Sequence, residues 1–260
     1  MRVVPARNGW SWLVRGFELF RKSPPMWLFL VFAYSLALAV LHKIRYLGPS
    51  IAFALIPVFS VSFMFMCAVL EGGGALHPAL LISGFRSGRP TLMVLGLLYL
   101  VATTAVLSLA ALADAGALLL WFLQGEPPSL ETLQDPGFAR GALIASLAVT
   151  PVMMAFWFAP VLVAWNRVGA AQSLFYSFFA VWRNWRAFLV YGGLVTFVGS
   201  ALLMSVGLLA LLMQADPNLA QSLTLVITFP TLFASFYASY RDVFPENAVP
   251  GAPSTNGRSS

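Results

Sequence analysis

The feature that most restricts this chain is an apolar run from Thr91 to Leu123, 33 residues broken by a single charge at Asp114. As a helix it would be about 50 Å long, against a bilayer hydrocarbon core of about 30 Å. Five further runs accompany it: Met26–Leu41, about Pro49–Leu70, about Gly141–Trp165, Ala187–Met213 and Leu219–Tyr240. No soluble chain of 260 residues hides that much apolar surface. Sixty per cent of the residues are apolar or aromatic and 9% are charged, where soluble domains carry about 25% charge. The natural solvent is a bilayer. The expected fold is all-α and integral to the membrane, a single polytopic domain over 1–244 with six transmembrane helices. The tail 245–260, rich in Pro, Gly and Ser, has almost nothing to bury and is expected to be disordered.

Two runs depart from the usual length. Met26–Leu41 is 16 residues, short for a span, and His42, Lys43 and Arg45 follow it to snorkel. The long run must tilt, project or break, and Asp114-Ala115-Gly116 is where a break or a projecting end is expected. The loop after it holds Glu126, Glu131 and Asp135 among Pro127, Pro128 and Pro136, and reads as an ordered turn or short helix.

Charge sets the orientation. With the N-terminus inside, the inner segments hold Arg2, Arg7, Arg15, Arg21, Lys22, Arg86, Arg89, Arg167, Arg183, Arg186, Arg241 and Arg258, and the outer ones only Lys43, Arg45 and Arg140. That bias places both termini in the cytoplasm and agrees with an even number of spans. No cleavable signal peptide or lipidation motif is read at either end. The net charge of +6 would point towards nucleic acid in a soluble protein; here no nucleic-acid partner is expected.

Two stretches are amphipathic. In Asn8–Lys22, Trp10, Leu13, Phe17 and Phe20 form one stripe, and Ser11, Arg15, Glu18 and Lys22 another. In Ser173–Arg186, Leu174, Phe178, Val181 and Trp185 share a face with Phe175 and Trp182, while Ser173, Ser177, Arg183 and Asn184 lie away from it. A weaker third case, His77–Pro90, precedes the long run. Each stretch is followed by an outward span and a returning span with an internal proline: Pro57, Pro160 and Pro230. The chain thus reads as three copies of a surface helix plus a hairpin, over 8–70, 77–166 and 170–242. Two or three such helices are expected on the cytoplasmic side. Trp10, Arg15, Phe17, Phe20, Arg21, Arg86, Trp182, Arg183, Trp185 and Arg186 are the expected anchors to an anionic inner leaflet.

The segments "VPARNGWSWLVRGFELFRKSP" and "WFAPVLVAWNRVGAAQSLFYSFFAVWRNWRAFLVYG" resemble a family of uncharacterised bacterial multi-pass inner-membrane proteins, and the likeness covers most of residues 3–242. More loosely, the surface-helix-plus-hairpin pattern is similar to membrane domains fused to some glycerophosphodiester phosphodiesterases. That second likeness implies no catalytic residues.

Catalytic chemistry is not legible. His42 and His77 fall on opposite sides of the expected membrane, and Cys67 is the one cysteine. There is no HExxH, GxSxG or P-loop, and "EGGGALHP" at 71–78 reads as a turn. No cofactor or metal is expected, and no enzyme. The candidates for an intramembrane role are Asp114, Pro57, Pro160 and Pro230. Asp114 could bind a cation, pair with Arg140, or mark the boundary of its span; boundary or structural pairing is the default. Glu71 and Asn166-Arg167 read as structural anchors at span ends. Gly192, Gly193, Gly199, Ser200, Ser205 and Gly207 suit tight packing in the fifth run. A scaffold, assembly factor or lipid-organising protein fits best, in a homo-oligomer or a membrane complex. A transporter or channel for a lipid, an apolar compound or a small ion is the alternative.

Overall fold

The computed structural model describes residues 1–44, 47–86, 90–125, 127–214 and 216–245; nothing is said of side chains 217–223 and 225–227. Among these residues the chain is mostly helical, with no strand. The helices are α1 Asn8–Arg21, α2 Pro24–His42, α3 Leu47–Ala54, α4 Ile56–Glu71, α5 Ser83–Arg86, α6 Pro90–Asp114 and α7 Ala117–Gln124. They continue with α8 Leu130–Gln134, α9 Pro136–Trp157, α10 Ala159–Asn166, α11 Ala170–Arg183, α12 Trp185–Leu212 and α13 Pro217–Val243. The tail from 246 lies outside the described residues, as do Arg45, Arg89 and Arg258.

Among the described residues four stretches are long and apolar enough to cross a membrane: α2, α6, α9 with α10, and α12. The pair α3 and α4, bent by 43°, passes the same test only when its two helices are taken together, as a broken span or a re-entrant loop. The expected sixth run lies in α13, part of whose side chains fall outside the described residues. The short first run gains Pro24, Pro25 and His42, and α2 reaches 19 residues, about 28 Å.

The long run breaks where its one charge stands. Helix α6 stops at Asp114, Ala115 (φ 51°) and Gly116 (φ 87°) turn left-handed, and α7 restarts at Ala117. The loop that follows holds the short helix α8, whose first turn Ser129 caps by accepting from the Thr132 N–H at 3.2 Å. The third surface stretch is reduced to a 3₁₀ turn, Pro78–Ile82, and the single turn α5.

Two compact units divide the chain. The first contains Met1–Tyr34, Ser62–Ser83 and the chain from Ala180. Here α1 lies along α12 and α13. Glycines make that approach possible: a Cβ at Gly9 would stand 2.4 Å from the Ala187 carbonyl oxygen, and one at Gly16 2.6 Å from the Ser235 nitrogen and the Thr231 oxygen. Between them Trp12 is fully buried, its ring 5.1 Å from Phe188 and 5.9 Å from Tyr191. Trp27 and Phe63 stack in the same unit, with Phe229 and Phe233 around Phe63.

The second unit contains Ser35–Val61 and Gly84–Phe179. Helix α6 is its axis, packed by α9, α10, α3 and α7. Gly96 lets the Ala54 carbonyl at the end of α3 rest on α6, since a Cβ there would meet that oxygen at 1.9 Å. Phe53, Tyr99 and Phe156 form a ring cluster, with Tyr99 4.6 Å from Phe53 and 4.8 Å from Phe156.

Three expectations change. The stretch expected as one helix to Arg186 is interrupted at Asn184, so Trp185 and Arg186 open α12. Ser173, Ser177 and Asn184, set apart from the apolar stripe by periodicity, are buried. The reason is that their hydroxyls and amide bond inside the protein, while Phe175, Phe179 and Trp182 are exposed. The glycines of the fifth run do not pack: nothing among the described residues lies within 4 Å of a Cβ at Gly192, Gly193, Gly199 or Gly207. Tight packing falls instead on Gly9, Gly16, Gly96 and Gly141.

Candidate functional site

The second unit holds a pocket at the end of α6. It encloses about 540 Å³ and is lined by Ala113, Asp114, Ala115, Ala117, Leu120, Trp121, Gln124, Pro127, Pro128, Glu131, Thr132, Asp135 and Phe138. Local chemistry builds it. Asp114 is buried, and its carboxylate accepts from the Gly116 N–H at 2.9 Å and the Leu118 N–H at 3.0 Å. Those are first-turn donors of α7, which have no partner within the helix. Asp114 is therefore the cap that allows α6 to stop and α7 to start in a new direction. Gly141 of α9 makes room for it, because a Cβ there would approach the Asp114 Cβ to 2.5 Å. Asp135 caps α9 in the same way, accepting from the Gly137 N–H. Arg140, a candidate partner for Asp114, directs its Nε to the Pro136 carbonyl at 3.4 Å.

The prolines play unequal parts. Pro57 follows the break between α3 and α4, and Pro160 is the second residue of α10. Pro230 remains inside an unbroken α13. At the α9–α10 break the Ser177 hydroxyl enters the helix: it accepts from the Phe158 N–H at 2.8 Å and donates to the Met154 carbonyl at 2.8 Å. Residues 154 and 158 would pair directly in an unbroken helix. Ser177 stands in that bond, one of the recognised causes of a bend. The loosened helix is closed by protein, so its carbonyl is not left for an ion.

The first unit carries two polar clusters at the end of α13. Asp242 accepts from the Asn8 amide at 2.6 Å and the Trp12 indole N–H at 2.9 Å, and pairs with Arg2 at 3.6 Å. Glu71 accepts from the Tyr237 hydroxyl and pairs with the Arg241 Nε at 3.2 Å. Asn184 ties the N-terminal segment to the α11–α12 junction, accepting from the Val4 N–H at 2.8 Å and donating to the Arg2 and Ala180 carbonyls. Of these, the sequence pointed only to Glu71 as an anchor. Asn8 and Asp242 stand 234 positions apart, and no local pattern connects them.

The chain is 40% identical, over an alignment of 269 positions covering 98% of each protein, to a probable inner membrane protein of Burkholderia thailandensis. It belongs to that family of bacterial inner-membrane proteins. No family model matches the chain, and no solved structure matches it. The looser likeness to phosphodiesterase membrane domains therefore rests on the helix pattern alone.

In this inner-membrane protein the expected anchors are distributed as follows. Trp10, Arg15, Phe17, Arg21, Trp182, Arg183, Trp185 and Arg186 are exposed in the first unit, and Phe20 is half-buried. Arg86 is exposed in the second. The Arg21 guanidinium lies 5.8 Å from the centre of the Phe17 ring, and that of Arg186 lies 5.4 Å from the Trp185 ring. Such cation–π pairs keep charge beside an aromatic face. No group of three or more His, Cys, Asp or Glu able to hold a metal occurs among the described residues.

Proposed function

We propose that this inner-membrane protein is a non-enzymatic scaffold, assembly or lipid-organising component. In this reading six helices span the bilayer with both termini in the cytoplasm, in three copies of surface helix plus hairpin. The observation that carries it is the outward face of α1 and the α11–α12 junction. Trp10, Phe17, Trp182 and Trp185 are exposed there, as are Arg15, Arg21, Arg183 and Arg186. Exposed aromatics bordered by arginines suit the interface of an anionic leaflet, where each nearby Lys or Arg contributes roughly 1 kcal/mol. The order of elements supports the repeat: α1 and α11 are both 14 residues long and each leads into a long apolar helix.

The test is double replacement of Arg183 and Arg186 by Glu, followed by topology mapping with single cysteines and by lipid analysis of the purified protein. Loss of retained anionic lipid or altered cysteine accessibility is expected. Unchanged topology with unchanged lipid content would remove the anchoring reading. The pocket beside Asp114 favours a second reading, a transporter or channel for a lipid, an apolar compound or a small ion. Asp114→Asn separates the two: abolished ion-coupled uptake in vesicles by a folded variant would select transport.

A further inference from the structure

We propose that α1 lies in the membrane plane with one side inserted among the acyl chains of the inner-leaflet phospholipids and the next side in water. This rests on the reading that α1 meets the inner leaflet, and assigns each side of the helix to a phase. A surface amphipathic helix has two sides; α1 has three, each about a third of its circumference at 3.6 residues per turn. Gly9, Trp12, Gly16 and Leu19 form the packed side. Next around the helix stand Trp10, Val14 and Phe17, exposed by 54%, 36% and 49%, with Leu13 and Phe20 half-buried beside them. The third side is Ser11, Arg15 and Glu18, continued by Arg7 and Lys22 just outside the helix, and its four charged residues are exposed. The flanks differ in the same sense. Gly9, at the edge of the packed side next to the apolar one, meets α12, a helix long and apolar enough to cross a membrane. A Cβ at Gly9 would stand 3.2 Å from the Val190 Cβ, and Leu189 and Val190 are themselves exposed. Asn8, at the opposite edge, donates to Asp242 at the charged end of α13, and Lys22 donates to the Leu70 carbonyl near the end of α4. The apolar strip of α1 thus continues the exposed surface of a span on one flank and is bounded by charge on the other. That is the order of phases across a leaflet, and helices of this kind sink about 5–10 Å into the boundary of headgroups and acyl chains. A protein partner would require no such order. Arg21, the one charge on the apolar side, holds its guanidinium 5.8 Å from the centre of the Phe17 ring, from where a long basic side chain extends to the anionic headgroups.

The test places spin labels on single cysteines in the full chain, in vesicles of phosphatidylethanolamine and phosphatidylglycerol. The parent chain, whose Cys67 is buried, is the unlabelled control. Oxygen, which concentrates in hydrocarbon, should collide more often than a water-soluble nickel chelate with labels at Trp10, Val14 and Phe17. The ratio should reverse at Ser11, Arg15 and Glu18. Each variant is first shown to elute as the parent does; labels at Phe17 and Arg15, both exposed and on opposite sides of the helix, decide the question if another replacement does not fold. Nickel access at Phe17 equal to that at Arg15 overturns the proposal, and so does oxygen access on both sides, which would submerge the whole helix. Shielding of the apolar labels from both reagents would put a second copy or another protein there and overturn it as well. Insertion of the apolar side needs no anionic lipid, so the same pattern is expected in phosphatidylcholine. A pattern kept there, with lipid content unchanged by the Arg183 and Arg186 replacements, would remove the anionic-leaflet reading alone. A pattern lost while those replacements strip anionic lipid would remove the insertion alone.

Discussion

Helices α1 and α11 have the same length, precede long apolar helices and end on the same pattern, Phe17, Phe20 and Arg21 against Phe179, Trp182 and Arg183, yet they turn different faces inward. Helix α1 buries Gly9, Trp12, Gly16 and Leu19. Aligning Phe17, Phe20 and Arg21 with Phe179, Trp182 and Arg183 carries those positions onto Ala171, Leu174, Phe178 and Val181. Of these only Val181 is buried; α11 turns in Ser173, Ser177 and Ala180 instead. The inward faces differ by about a quarter turn at 3.6 residues per turn. In α1 the glycines permit backbone contact and Trp12 supplies the bulk. In α11 a hydroxyl reaches into the broken α9–α10 helix. Similar surface devices thus serve different internal packing.

The sharpest way to break this contrast is Gly16→Leu. Its side chain would collide with backbone at Thr231 and Ser235, and overpacking of this kind costs about 1–3 kcal/mol or more. Loss of folded protein in detergent size-exclusion chromatography is expected. Gly193→Leu, on the open face of α12, should elute as the parent does; equal damage from both would mean that the α1 approach is not the tight one.

Asp242→Ala comes next. It removes the acceptor of the Asn8 amide and of the buried Trp12 indole and the partner of Arg2. An unsatisfied buried donor costs about 1–3 kcal/mol, and thermal unfolding should fall accordingly. Retention of the parental melting temperature would show that α1 is held by packing alone.

Ser177→Ala tests the other helix. It orphans the Phe158 N–H and the Met154 carbonyl, with an expected loss of about 1–2 kcal/mol. Spin labels on α9 and α10 provide the second readout. A straightened helix with unchanged stability would show that Ser177 follows the bend and does not hold it.

Asp114→Ala should cost least, about 1 kcal/mol for a lost helix cap, with Asp114→Asn retaining most of it. A larger loss in the Asn variant would point to a role for the charge beyond capping.

Four of the apolar runs, a break or projecting end at Asp114-Ala115-Gly116, and a turn or short helix in the acidic loop were legible in the sequence, because each depends on neighbours along the chain. Capping acts within four residues, and a carboxylate followed by Ala-Gly is a local signal for a helix end and restart. The exposed aromatics and arginines of α1 and of the α11–α12 junction were legible as a composition, but the inward face was not. In water an apolar stripe marks the core. In a bilayer the lipid is as apolar as the core, so periodicity no longer separates inside from outside. Ser173, Ser177 and Asn184 look like a wetted face on that basis, and the fold buries them. The glycines of α12 look like a packing seam, and the fold leaves them open. Which helix lies on which, and hence which small residue lets backbones touch and which hydroxyl enters a broken ladder, was decided only by tertiary structure. Trp12 and Asp242 stand 230 positions apart. Local propensity acts over a few residues and carries no information about such a pair, whereas the cost of burying an indole N–H without an acceptor selects the arrangement in which they meet.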